Sequence, residues 1–211
     1  MRNFISEDDI EQAILQKLEG DPFQYGILRC DPSPDKRELL PDGTGRSSKK
    51  ECVLPLILRE ALARLNPDIP GEKLEEIARD LCRDFSATDM TATNYKYYNQ
   101  IRNGIKISLR RNGKEDFDFV KLVDFDRPEN NTFTAVSQMW IQGRVYWRRP
   151  DVLIFINGLP MVFVELKNSI VKVEEAYNDN LKNYLRDIPN LFALNQICVL
   201  SNGLETRLGA F

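Results

Sequence analysis

The chain has no histidine among its 211 residues. That absence removes Ser-His-Asp and Cys-His nucleophilic sites, H-E-x-x-H zinc sites and nucleases whose base is an imidazole. Any hydrolytic chemistry must therefore run on carboxylates and lysine. Cysteine is sparse: Cys30, Cys52, Cys82 and Cys198 are scattered without a C-x-x-C pair, so neither a zinc knuckle nor a disulfide framework is signalled. Reduced, mostly buried thiols are expected. Long apolar runs are missing too, and the stretch from Met1 to Gly20 is charged, so neither a membrane span nor a targeting signal is predicted and the cytoplasm is the expected compartment. Nor is there an excess of basic charge. The net charge is −3 and the pI near 5.3, which lends no bulk electrostatic support to a nucleic-acid partner. Basic residues cluster only locally, as Arg144, Arg148 and Arg149 just before Asp151, and as Arg110, Arg111 and Lys114 at an expected turn. A solvated face is the plainer explanation of such clusters.

What is present suits one globular domain with a helical appendage, at 42% hydrophobic and 29% charged residues. Ser6 and Asp9 form a capping pair ahead of Ile10, Ile14 and Leu18, which predicts a first helix carrying Glu7 and Glu11 and ended by Gly20, Asp21 and Pro22. Asp31 to Lys50, rich in Pro, Ser, Gly and charge, reads as a long exposed loop, disordered in part. Leu54, Leu58, Ala61, Leu62 and Leu65 mark a second helix, and Leu74, Ile77, Ala78 and Leu81 a third, together a helical hairpin turning at Asn66 to Gly71. A fourth helix is expected over Thr93 to Arg102. Beyond Gly104, β-rich runs at Ile105–Leu109, Phe117–Val123 and Phe133–Ile141 are expected as the first strands of a sheet. Val152–Ile156 and Met161–Leu166 are almost wholly apolar and suit central strands covered on both faces. A helix over Val173 to Leu185 and a last strand over Leu194 to Leu200 complete the pattern.

Three charged residues interrupt the apolar hairpin. Asp151 opens one strand; Glu165 and Lys167 close the other. Side chains alternate along a strand, so Glu165 and Lys167 share a face and Leu166 points the other way. Asp151 joins them only in the right register. A three-residue loop of Asn157, Gly158 and Leu159 sets Ile156 opposite Pro160 and Asp151 opposite Glu165, whereas a two-residue loop separates the carboxylates unless a bulge intervenes. The three-residue loop or a bulge is therefore predicted. Two carboxylates on one face can share a hard cation such as magnesium, with waters and phosphate oxygens completing its shell. Such a cation activates water and polarises a phosphate, while Lys167 orients the water and offsets developing charge. An exposed strand-edge pair beside a turn acid is the ordinary alternative. Burying unpaired charge in so apolar a setting is costly, which favours the functional reading.

Pro150, Asp151, Glu165, Leu166 and Lys167 spell P-D…E-x-K, and the chain resembles the PD-(D/E)XK nuclease superfamily. The stretches "RPENNTFTAVSQMWIQG", "RRPDVLIFINGLPMVFVELKN", "YLRDIPNLF" and "LSNGLETRLGAF", with "LREALARLNPDIP" earlier, resemble the N-terminal nuclease region of the R subunit of type I restriction-modification enzymes. The resemblance implies an α/β fold with a restriction-endonuclease-like core, a mixed central sheet flanked by helices, and an extra helical hairpin. It implies one endonuclease domain over residues 1–211, with a helical insertion at about 51–103 and a nuclease core from about 1–25 and 104–211. Asp151 and Glu165 would bind magnesium, with manganese able to substitute; the Leu166 carbonyl is a further candidate ligand, and Lys167 would be the catalytic lysine. Glu11 falls where the family carries a helix glutamate, a candidate ligand or an ordinary charged helix face. The family's Gln-x-x-x-Tyr motif corresponds to Asn180 and Tyr184, with Asn in place of Gln, and these join Arg148 and Arg149 as candidates for positioning DNA.

The same resemblance implies duplex DNA as substrate, methyltransferase and specificity subunits as partners, and an ATP-driven motor that drives translocation. No motor is encoded here. "GTGRSSKK" from Gly43 lacks the spacing of a phosphate-binding loop, so ATP belongs to a region absent from this chain, which is expected to be an N-terminal fragment. A nuclease-fold module of weak activity, serving DNA binding or assembly, is the alternative from another class. A free-standing repair or phage-type nuclease fits the chemistry but not the extended resemblance.

Overall fold

A computed structural model describes residues 4–85, 89–111 and 114–210. In chain order the elements are α1 (Glu7–Glu19), β1 (Gly26–Arg29), α2 (Pro55–Leu65), α3 (Gly71–Cys82), α4 (Met90–Asn103), β2 (Ile105–Arg111), β3 (Lys114–Val120), β4 (Phe133–Ser137), β5 (Ile141–Gln142), β6 (Trp147–Arg148), β7 (Val152–Ile156) and β8 (Leu159–Leu166). A continuous helical rod follows, made of α5 (Val173–Glu175), a π-helical turn (Ala176–Leu181) and α6 (Lys182–Asp187). Then come α7 (Pro189–Phe192), β9 (Ile197–Ser201) and β10 (Thr206–Ala210).

Six strands form a mixed sheet in the order β1-β4-β7-β8-β9-β10, with β1/β4 and β8/β9 parallel and the other pairs antiparallel. The two central strands are apolar because both faces are covered. Val152, Val164 and Leu166 pack with Ile10 and Leu15 of α1, whereas Leu153, Phe155 and Phe163 pack with Val173, Leu181, Tyr184 and Phe192 on the opposite face. Period-two alternation thus feeds two helical layers from one hairpin. A third apolar cluster, at the turn end of the hairpin, joins Leu159 and Met161 to Leu58, Leu62, Leu81 and Tyr97 of α2, α3 and α4. The capping box at Ser6 forms: Asp9 N–H donates to Ser6 Oγ at 3.1 Å, and Ser6 N–H to Asp9 Oδ2 at 3.0 Å.

Several expectations are corrected. The runs at 105–109 and 117–123 are not strands of the central sheet. β2 and β3 make a separate two-stranded hairpin whose inward residues, Leu109 and Val120, join the helical cluster. The expected strand Phe133–Ile141 is broken at Gln138, whose φ of 57° takes the chain out of extended geometry after Ser137. Three short strands, β1, β6 and β10, were not anticipated, and the helix expected to end at Leu185 runs on to Asp187 through its π turn. Residues 112 and 113, between Arg111 and Lys114 where a turn is expected, lie outside the described residues.

The segment expected as an exposed loop is irregular but not exposed throughout. Thr44, Arg46 and Lys49 are buried, and both cations meet Asp42 Oδ2, at 2.7 Å from Arg46 and 2.6 Å from Lys49. Arg46 also donates to the carbonyls of Glu51 and Trp140, and Gln142 N–H donates to the Lys49 carbonyl, so the cluster fastens this loop to the stretch leading into β7. Composition suggested solvent; the fold supplies charge pairing instead. Burial alone would raise the Asp42 pKa, but Arg46, Lys49 and Thr44 outweigh it and hold the carboxyl well below its usual range. The four cysteines are free thiols, and burial pushes Cys52 up to about 12.

Two outcomes are expected. Asp42→Ala strands two buried cations and should lower unfolding free energy by about 3–5 kcal/mol, read from the urea midpoint. Because the folded-state pKa is depressed, this contribution is full above the ordinary aspartate range and is lost progressively as pH falls from that range toward the depressed folded-state value; the gap between wild type and variant should therefore narrow in acid. Separately, Gly158 sits at φ +81°, and an added Cβ would lie 2.6 Å from the Leu54 carbonyl oxygen and 2.8 Å from Leu58 N. Gly158→Ala should destabilise by roughly 1–3 kcal/mol or more in the same assay.

Candidate active site

The hairpin β7–β8 turns through Asn157 and Gly158, both with positive φ (53° and 81°), so the loop has two residues rather than three. Asn157 is fully buried. Its side chain donates to the Leu122 carbonyl (3.0 Å) and Asn131 Oδ1 (2.7 Å) and accepts from Thr132 N–H (2.8 Å), while Leu54 N–H donates to the Gly158 carbonyl (2.9 Å). The register is Ile156↔Leu159 and Phe155↔Pro160, then Ile154↔Val162, leaving Met161 as the extra residue of a β-bulge. Beyond the bulge Val152 faces Val164, and one further step sets Asp151 across from Glu165. Of the two arrangements that bring the carboxylates to one face, the fold uses the bulge.

Asp151 and Glu165 therefore meet at the end of the sheet opposite the turn. Asp151 Oδ2 accepts from Leu166 N–H at 2.7 Å, which ties the start of β7 to the end of β8. Glu165 is only 2% exposed. Its Oε1 accepts from the Asn180 amide, and the Lys167 Nζ stands 4.0 Å away; its Oε2 is buried with no hydrogen-bond partner. Lys167 Nζ also lies 3.9 Å from Glu7 Oε1 in the first turn of α1, and Lys167 N–H donates to the Ser201 carbonyl at 2.8 Å, continuing the β8/β9 pairing. Leu166 points away into the α1 layer, as alternation requires.

The other sequence candidates divide. Tyr184 is buried beneath the site, its ring edge-on to Phe163 and its hydroxyl donating to the Arg149 carbonyl at 2.9 Å. Asn180 lies in the π turn and reaches Glu165. Arg148 is engaged by the buried Asp187 carboxylate, which Arg186 also contacts. Arg149 donates to the Pro32 carbonyl at 2.7 Å and lies over the Trp140 ring, and Arg144 is exposed. Glu11 is 6% exposed and faces the site from α1, joined to it through Gln138. Gln138 and Glu7 were not singled out as site residues in the sequence. No pattern marks a Gln that adopts positive φ, and Glu7 is recognisable only once α1 is placed beside β8.

Electrostatics agree with this crowding. Burial is the main reason the Asp151 pKa rises to about 6, with Glu7 and Glu11 adding repulsion against the opposing Leu166 N–H and Lys167. Burial and the neighbouring Asp151 push Glu165 well above the ordinary carboxylate range, despite Lys167, the Tyr184 hydroxyl and the Asn180 amide nearby. Glu11 is raised by burial as well. Adjoining carboxylates, Glu165 buried with an unpartnered oxygen and Asp151 half-buried, present a hard all-oxygen donor set whose charge lacks a full counterpart. That set fits a divalent cation. Among the described residues no three His, Cys, Asp or Glu side chains gather into a cage, so water, backbone or substrate oxygens would have to complete the shell, as magnesium prefers.

Residues 4–211 match the family described as "Type I restriction enzyme R protein N terminus". The chain is 32% identical over 210 residues to the type I restriction enzyme HindI endonuclease subunit of Haemophilus influenzae, covering 98% of this chain and 19% of that protein. It is 31% identical over 211 residues to the putative type I restriction enzyme MjaIXP endonuclease subunit of Methanocaldococcus jannaschii, covering 95% and 19%. A shorter similarity, 34% over 102 residues, links it to the type I restriction enzyme SauCOLORF180P endonuclease subunit of Staphylococcus aureus, covering 48% and 11%. The chain thus spans about a fifth of the length of the first two relatives. On a match this long, this chain belongs to the type I restriction enzyme R protein N-terminus family.

Proposed function

We propose that the chain is the DNA-cleaving domain of a type I restriction enzyme R subunit, with a PD-(D/E)XK nuclease core that hydrolyses phosphodiester bonds of duplex DNA in a magnesium-dependent reaction. The observation that carries this reading is the convergence of Asp151, Glu165 and Lys167 at one sheet end, with Glu165 Oε2 buried and unpartnered. The names of the relatives, all endonuclease subunits, support the same assignment.

Asp151 and Glu165 would hold the cation, and the Leu166 carbonyl at the strand end is a further candidate ligand. A magnesium ion bound there would polarise the scissile phosphate and bring a water toward hydroxide at neutral pH. Lys167, partly shielded from solvent, is placed to orient that water and to offset charge developing on the phosphate oxygens. Asn180 fixes the Glu165 carboxylate by donating to Oε1. Tyr184 packs beneath it and anchors the chain entering β7 through the Arg149 carbonyl. Arg148 and Arg149, already engaged within the fold, would contact DNA only with the donors these partners leave free. The acidic composition fits a module delivered to DNA by other subunits, those for methylation and specificity, with ATP-driven translocation supplied outside this segment.

Two experiments test this. Addition of Mn2+ or Mg2+ at about a hundredfold excess over Kd should stabilise the wild-type chain by about 2.7 kcal/mol. For a domain of this size that is a rise of roughly 5–10 °C in Tm. Asp151→Asn and Glu165→Gln should lose the rise, and a wild type that melts identically with and without the ions would exclude the cation. In the assembled restriction enzyme, Asp151→Ala or Lys167→Ala should lower DNA cleavage by about 100-fold or more while ATP hydrolysis persists. Cleavage at the wild-type rate would sink the assignment.

A further inference from the structure

Gln138 stands between two acidic groups that the hairpin alone does not connect. It leaves β4 at φ 57°, a left-handed conformation uncommon for a side chain of this kind. From there its backbone N–H donates to the Asp151 carbonyl at 3.0 Å. Its side-chain amide donates to Glu11 Oε2 and lies 3.5 Å from Asp151 Oδ1. Only the N–H end of an amide can face two carboxylate oxygens, so chemistry fixes its orientation. Its Oε1 is then left buried with no donor, the same condition as Glu165 Oε2. Gln138 Oε1 and Glu165 Oε2 are thus buried acceptors without donors on the two side chains that flank Asp151, and water bound to a divalent cation carries the protons such acceptors need.

We propose that Gln138 is a positioning residue for the divalent cation: its amide holds the Glu11 and Asp151 carboxylates at a fixed separation, and its Oε1 accepts a hydrogen bond from a water of the ion's shell. On this view Glu11 acts through Gln138 rather than by itself. The inference rests on the cation reading above but concerns different residues. Carboxylates that ligate a metal are held in turn by hydrogen-bonding partners, whose loss weakens metal affinity about 10–100-fold.

The test is titration of this chain with Mn2+, followed by electron paramagnetic resonance. Gln138→Met keeps the length and the backbone but removes both donor and acceptor. It should weaken Mn2+ about 10-fold, while metal-free melting falls by the loss of the Glu11 hydrogen bond. Glu11→Gln should weaken it comparably, and the double variant no further than the weaker single one, since both remove one linkage. A Gln138→Met chain that binds Mn2+ like the wild type overturns the proposal, as does a double variant whose losses multiply. If Gln138→Met does not fold, Gln138→Asn, whose shorter amide tolerates positive φ but falls short of Glu11, takes its place under the same criteria. Failure of the wild type to bind Mn2+ overturns the cation reading and this inference together. Binding abolished by Asp151→Ala but untouched by Gln138→Met overturns this inference alone.

Discussion

The site depends on one electrostatic constraint: two carboxylates, one buried and one half-buried, stand side by side where neither has enough opposite charge. Placing them there is unfavourable in a fold whose stability is a small difference of large terms. The surroundings answer it only partly, through Leu166 N–H on Asp151, Asn180 on Glu165, and Lys167 at ion-pair distance. Two of these partners come from the end of β8 and the third from the π turn, which is why the central hairpin and the π-interrupted rod must both be in place before the site exists. The elements farther away act on the same point. α2 receives the hairpin turn through Leu54, and the Asp42–Arg46–Lys49 cluster secures the chain that enters β7.

The core of this arrangement was legible in the sequence because it rests on periodicity. The apolar runs at 152–156 and 161–166, the Glu165-x-Lys167 spacing and the helical faces of α2, α3 and α4 are local patterns, and each appears where alternation or the helical repeat puts it. The bulge was foreseen only as one of two ways to bring the carboxylates together. Its site at Met161 was hidden, since bulge placement is decided by how Leu159 and Met161 pack against the helical cluster.

What escaped the sequence shares a cause: it depends on distant partners. β1 and β10 are short outer strands with little apolar content to announce them, and they become strands by pairing with β4 and β9. The segment around Asp42 looks like solvated loop until Arg46 and Lys49 are folded over it. Gln138 carries no motif; it matters because a turn in its backbone carries its amide between α1 and β7. The β2–β3 hairpin was recognised as β structure yet assigned to the wrong sheet, because alternation reports that a face is buried and not what buries it.

The bulge at Met161 also bears on how such a chain can change length over evolutionary time. Between Asp151 and Glu165 the faces are kept in phase by one surplus residue, so a single insertion or deletion in this stretch would turn one carboxylate to the far side of the sheet. Paired changes, or a lone insertion offset by loss of the bulge, preserve the phase. Descendants of this hairpin are therefore free to lengthen it only in steps of two, exchange of bulge for loop leaving its length unchanged, and the spacing of the two acids records parity more strictly than distance.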